Sequence, residues 1–243
     1  MNIEQMPKFV INLERDTHKL TRFSKPMKEQ NIEFKIWRGA IITNRKKLHE
    51  YNKKFKYTQR TKTIKRPGNV GSSFAHLSLW KYCLTQENDY FMIFEDNCVI
   101  KKNFLQNVNK FLKKVKNVHF FNLNVLRLEG ITKDNFLYRI KINKNYLLQI
   151  KPSNLWMSSY IISKNTIKFL LKIASHIDFD TKYPIDQIVP YVLSTVKNIN
   201  YYGIKTNHLA NHMGKNTDTR KLLNNRSIKL ESCITTQPID FKL

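Results

Sequence analysis

Glu95, Asp96 and Asn97 follow directly on the apolar run Tyr90–Phe94 (YFMIF). A buried strand that ends in carboxylates sets them at the C-terminal edge of a sheet, where open α/β sheets bind their ligands. Two adjacent carboxylates can hold a hard divalent cation through oxygen, and such a cation screens a diphosphate. The plainer alternative is a solvated turn. A second stretch, GNVGSSFAHLSLW (Gly68–Trp80), sets Gly71 ahead of an expected helix whose N-terminal amides could meet a phosphate, with His76 on that helix near Trp80. Its alternative is a glycine turn followed by a histidine at the edge of the core. A third, PIDQ (Pro184–Gln187), offers Asp186 just before a helix, as a general base or as a helix cap.

These residues need a scaffold. Phe9–Leu13 (FVINL) reads as a buried first strand and Arg15–Gln30 as a helix, with Leu20, Phe23 and Met27 on one face and Pro26 near its end. Glu33–Trp37 alternates as a second strand. The strand–helix–strand order predicts an α/β fold. Further helices are expected over 70–84, 104–115, 165–174 and 184–196, and further strands over 90–94, 118–123, 158–163 and 200–204. Leu137–Ile150 reads as a hairpin turning near 143–145. No linker or repeat divides the chain, so one domain over 1–243 is expected. Residues 41–66 form a Lys-rich basic insertion or loop in this reading, and residues 207–243 an irregular tail.

The 243 residues carry 43 Lys+Arg against 18 Asp+Glu, a net charge of +25. Such a field attracts nucleotide phosphates, anionic membrane surfaces, nucleic acid or acidic polymers. The lysines are spread through every segment and accompany abundant Asn and Ile, a pattern that biased base composition also produces. No helix-turn-helix, finger or RRM signature accompanies the charge, so no specific nucleic acid is expected as a partner, although a basic nucleic-acid-binding protein remains the rival reading. Three cysteines without C-x-x-C spacing argue against a disulfide framework or zinc knot. With neither a signal peptide nor an apolar run long enough to span a bilayer, a cytoplasmic protein is expected, peripheral at most on a membrane surface.

The order of the pieces is more specific than any one of them. VINLERD (Val10–Asp16), GNVGSSFAHLSLWKYC, MIFEDNCVI, SSYIISKNTIKFLL and PIDQIV together resemble glycosyltransferase family 25, which includes bacterial lipooligosaccharide galactosyltransferases and procollagen galactosyltransferases. The resemblance implies a GT-A type, Rossmann-like nucleotide-sugar-binding fold with a mixed central sheet. It further implies a UDP-sugar donor, with galactose or glucose transferred by inversion to a glycan, lipid-linked or hydroxylysine-containing acceptor. On that reading Asn12, Arg15, Gly71, His76, Glu95 and Asp96 bind the nucleotide sugar, with Glu95 or Asp96 able to reach the ribose. Asp96, Asn97 and His212 hold Mn2+ (or Mg2+), with His208 as a further candidate. Asp186 is the catalytic base, with Asp178 and Asp180 close in sequence as substitutes.

Three positions depart from the family's pattern. Asn97 stands at its third acidic position, Ala75 stands where it has Ser before His76, and His18-Lys19 stand at its second basic position. Asn97 removes a charge from the expected metal site. It therefore motivates an alternative, an inactive relative that binds a glycan or a partner enzyme.

Overall fold

The computed structural model describes residues 2–42, 44–55, 67–125, 136–142, 145–150, 157–174, 185–196, 199–205 and 210–212. Asp178, Asp180, His208 and residues 213–243 lie outside them. The chain forms β1 (Lys8–Asn12), α1 (Thr17–Glu29), β2 (Lys35–Arg38), α2 (Arg45–Phe55), α3 (Pro67–Leu84), β3 (Tyr90–Glu95), β4 (Cys98–Ile100) and α4 (Phe104–Leu112). It continues through β5 (Phe120–Val125), β6 (Phe136–Ile142), β7 (Asn145–Ile150), β8 (Ser159–Ser163), α5 (Lys164–Ala174), α6 (Ile185–Ser194), β9 (Tyr201–Lys205) and β10 (Ala210–His212).

The main sheet has the order β2-β1-β3-β8-β5-β9-β7-β6. β1 pairs in parallel with both β2 and β3, and β8 runs antiparallel between β3 and β5. This is the mixed α/β sheet expected from the sequence. Its apolar runs are continuous because both faces are covered. Phe9, Ile11, Phe91, Ile93, Phe120, Tyr160, Ile162 and Tyr201 point into one core, shared with α2, α3, α5 and α6. Val10, Met92, Phe94, Phe121, Ile161 and Tyr202 point into the other, shared with α1 and α4. Burying one such phenylalanine contributes about 1.5–3 kcal/mol.

Several elements differ from the sequence expectation for identifiable reasons. Residues 45–55 form a helix where an insertion or loop was expected; Leu48 is buried and Tyr51 meets Phe74 edge-on at 5.7 Å. Gly71 does not precede the third helix. It is the fifth residue of α3, which already starts at Pro67, a residue suited to the first helical position. α3 is buried nearly all round rather than on one face, because α2, α5, α6 and the sheet enclose it. Of the expected irregular tail, Ala210–His212 is a strand, β10, paired antiparallel with β4 and in parallel with β5.

The winding decides where a ligand belongs. The crossover from β1 to β2 carries α1 on one face, and the return from β2 to β3 carries α2 and α3 on the other. The chain therefore reverses its winding between β1 and β3. The C-terminal ends of these two strands border the crevice in which doubly wound sheets hold their ligands.

Candidate active site

Three parallel strands end side by side at that crevice. Asn12 closes β1, Arg38 closes β2 in register with it, and Glu95 closes β3 opposite Ile11. The Asp96 backbone N–H donates to the Ile11 carbonyl at 3.1 Å, which carries the pairing one residue further and brings Asp96 up to Asn12. Asn12, buried at 1% exposure, bridges its neighbours. Its Nδ2 donates to Asp96 Oδ2 at 2.8 Å and to the Asp16 carbonyl at 3.2 Å, while its Oδ1 accepts from Arg38 Nη1 at 3.1 Å. A guanidinium can only donate and a carboxylate only accepts, so the amide has one orientation. Arg38, Asn12 and Asp96 thus form an ordered line from cation to anion.

Burial pushes the Asp96 carboxyl above the usual carboxylate range, against the Asn12 hydrogen bond and the Lys19 charge, which pull it down. Such a carboxylate is poised to take up a positive partner. Asp16, next to the crevice, is held below that range, first by its hydrogen bond from Lys19. Arg15 is exposed and lies 3.9 Å from Asp16 Oδ1.

Glu95 has one oxygen on each side of a divide. Its Oε1 faces His76 Nε2 at 3.4 Å and its Oε2 faces Asn97 Nδ2 at 3.4 Å. Its backbone N–H is fixed by the Ser158 carbonyl at 2.7 Å. His76 is fully buried, and its contact on the crevice side is with Glu95. Gly71 is placed differently from the expectation that it precedes a helix. Its amide belongs to the second turn of α3, inside the helix rather than at its N-terminus. Its role is close packing, since a Cβ there would stand 2.4 Å from the Ala40 carbonyl oxygen.

The hydrogen bonds form two groups, Arg38–Asn12–Asp96 and His76–Glu95–Asn97, which meet through the chain at Glu95–Asp96. Asp186 stands apart from them in sequence, half-buried in the first turn of α6. α6 packs on the same face of the sheet as α3 through Ile185, Ile188, Val189, Val192 and Leu193. Strand β10 returns the C-terminal segment to the crevice, with His212 in register opposite Cys98, the residue after Asn97. Two residues of the site were missed from sequence. Arg38 was findable as the residue that parallel pairing sets beside Asn12. Tyr160, which bonds His76, carried no signal beyond its place in a family segment.

The sequence profile of glycosyltransferase family 25, described as LPS biosynthesis proteins, matches residues 5–189. The chain belongs to this family. Proteins similar to it include the lipooligosaccharide biosynthesis protein lex-1 of Haemophilus influenzae, 26% identical over 147 residues, or 56% of this chain and 46% of that protein. A putative glycosyltransferase of the same organism is 24% identical over 188 residues, or 74% of this chain and 61% of that protein. The chain thus spans about half to three-fifths of the length of these relatives. Among solved structures, a glycosyltransferase involved in the glycosylation of the major capsid of PBCV-1 superposes with a TM-score of 0.48. The identity is 7%, over 89% of this chain and 96% of that one.

Proposed function

We propose that this family 25 member is a hexosyltransferase that moves galactose or glucose from a UDP-sugar to a hydroxyl of a glycan acceptor, with inversion. The observation that carries the reading is the pair Glu95–Asp96 at the β1/β3 crevice, with Asp96 bonded to Asn12. The relatives' association with lipooligosaccharide biosynthesis favours a lipid-linked glycan over a hydroxylysine acceptor.

In this mechanism Arg38 orients Asn12, Asn12 holds Asp96, and Glu95 takes a hydroxyl of the ribose or the sugar. Arg15 faces the diphosphate from the exposed turn after β1. Asp186 accepts the proton of the acceptor hydroxyl as its oxygen attacks the anomeric carbon and the bond to UDP breaks on the opposite side. Asp96 and Asn97 offer oxygen ligands of the kind Mn2+ or Mg2+ prefers, and β10 sets His212 in register with Cys98, the residue after Asn97. Among the described residues no group of three or more His, Cys, Asp or Glu could hold a metal alone. A cation there would have to be bound by few side chains and completed by phosphate and water. Bound there, the ion would supply Lewis-acid stabilisation of the leaving diphosphate.

The reaction is assigned to the cytoplasmic side of an anionic membrane. The exposed lysines Lys102, Lys110, Lys113, Lys114 and Lys116, on and around α4, favour such a surface. No described helix is long and apolar enough to cross a membrane.

The test is a melting and turnover screen with UDP, UDP-galactose and UDP-glucose, with and without Mn2+. A ligand at one hundred times its Kd stabilises by about 2.7 kcal/mol, or roughly 5–10 °C for a domain of this size. No shift with any nucleotide diphosphate or nucleotide sugar would remove the donor-site reading. A shift without turnover on any acceptor would instead favour the inactive binding relative that Asn97 suggests.

A further inference from the structure

Behind Glu95 runs a line of polar groups that the donor-site reading does not use. Trp80 Nε1 donates to Tyr160 Oη at 3.0 Å, Tyr160 Oη meets His76 Nδ1 at 2.7 Å, and His76 Nε2 meets Glu95 Oε1 at 3.4 Å. Trp80, Tyr160 and His76 are at most 1% exposed. A buried polar line of this kind is costly unless every proton has an acceptor, so its presence in an aromatic core calls for a reason.

The protons can be assigned from the two ends inward. The indole N–H only donates, so Tyr160 Oη accepts from Trp80. A carboxylate oxygen accepts, so in the His76 Nε2–Glu95 Oε1 contact the hydrogen is on His76 Nε2. Burial holds the Tyr160 phenol well above its ordinary range, so it keeps its proton. That proton goes to His76 Nδ1, which is then bare. In the order Trp80, Tyr160, His76, Glu95 the indole only donates, the phenol and the imidazole each accept once and donate once, and the carboxylate only accepts. With Nδ1 also protonated, the Tyr160 hydrogen would have to leave the line. The rings are clamped as well. Tyr160 stacks on Phe120 at 4.9 Å and 13°, and Phe120 stacks on Tyr201 at 5.0 Å and 6°, across three neighbouring strands.

We propose that Tyr160 and Trp80 are positioning residues: they lock His76 in its Nε2–H tautomer, and His76 holds the Glu95 carboxylate in the orientation that binds the nucleotide sugar. This rests on the donor-site reading above and deepens it. Glu95 is 27% exposed, so its outer oxygen side is where a ligand arrives while its inner side is held from the core. A glutamate on a strand end otherwise samples several rotamers. Fixing it beforehand removes that ordering cost from donor binding.

Two readouts decide the proposal. Nitrogen NMR of the imidazole in the unliganded full chain reports the His76 tautomer, and calorimetry reports the Kd for UDP-galactose or UDP-glucose. Wild type should show a neutral His76 protonated at Nε2. Tyr160→Phe keeps the ring and removes the hydroxyl; it should release the tautomer into a mixture and weaken donor binding by about 10- to 100-fold, the usual effect of removing a group that orients a ligand-binding side chain. Trp80→Phe should act in the same direction by less, and it serves if Tyr160→Phe does not fold. A wild-type His76 protonated at Nδ1 overturns the proposal. So does a variant that changes only one of the two readouts, or neither. Failure of the donor-site reading is recognised separately, because wild type itself would then bind no nucleotide sugar.

Discussion

Gly71 and Gly68 lie three residues apart on one helix, yet the structure predicts opposite outcomes when each is changed to alanine. Both occupy α3 in helical conformation, where replacing glycine by alanine contributes about 0.5–1 kcal/mol by restricting the unfolded chain and favouring the helix. At Gly68 nothing lies within 4 Å of the added Cβ, so that gain should appear, reduced somewhat by its place in the first turn. At Gly71 the Cβ would stand 2.4 Å from the Ala40 oxygen and 3.5 Å from its carbon. A carbon–oxygen contact settles at roughly 3.2 Å or more, so the helix and the 40–42 segment must part by most of an ångström. The obstacle is a backbone carbonyl, which no side-chain rotamer can relieve. Overpacking of this kind costs about 1–3 kcal/mol, more than the helical gain.

The net expectation is a Gly71→Ala protein less stable by about 1–2 kcal/mol and a Gly68→Ala protein stabler by up to about 1 kcal/mol. For a chain of this length these correspond to a melting temperature roughly 2–8 °C lower and 1–4 °C higher. The shift should also reach the site. Ala40 follows Gly39, whose N–H donates to the Asn12 carbonyl at 2.8 Å, and Asn12 holds Asp96. Turnover of the folded Gly71→Ala protein should therefore fall by about 10- to 100-fold, as it does when reacting groups are displaced by a fraction of an ångström to an ångström. Scanning calorimetry and an assay at saturating donor check both parts. A Gly71→Ala protein as stable and as active as wild type would refute the reasoning, because the contact with Ala40 would then be one the molecule can shed without cost.

Asp96→Asn should abolish most turnover yet melt no lower than wild type at pH 7 without metal. Burial raises the folded-state pKa of Asp96 above its unfolded value near 3.8, so the ionised carboxylate costs stability as pH rises through that window; the variant's advantage should vanish below about pH 4 in paired melting curves. His119 accepts the Asn200 N–H on Nδ1 at 2.8 Å, and burial lowers its pKa below 6.5. Its contribution is therefore present above pH 6.5 and lost as pH falls through the folded pKa, so the stability gap between wild type and His119→Asn should narrow between pH 7 and pH 5 in urea titrations. Asp186→Asn should lower turnover by roughly 10²- to 10⁴-fold with UDP affinity intact if Asp186 is the base; a destabilised but fully active variant would leave it a helix cap.

What was legible in the sequence was whatever a single strand or helix decides locally. Asn12 and the Glu95–Asp96 pair could be set at a sheet edge because each ends an apolar run, and that inference needs only the direction of its own strand. Gly71 was misread because a glycine inside a helix and a glycine before one look alike along the chain; the Ala40 carbonyl that requires it is a tertiary neighbour. Arg38 was overlooked because β2 is short and mostly exposed, so its last residue looked like ordinary surface until parallel pairing set it beside Asn12. Tyr160 hid for the opposite reason: β8 reads as a wholly buried strand, and nothing local separates a core tyrosine from one whose hydroxyl completes a hydrogen-bonded line. Asn12 reaches Asp96, and His76 reaches Tyr160, across the same separation of 84 residues. Bonds of that span depend on strand order, which periodicity does not encode. The site was visible as separate side chains, and the couplings that give those side chains their orientation appear only once β1, β3 and β8 lie next to one another.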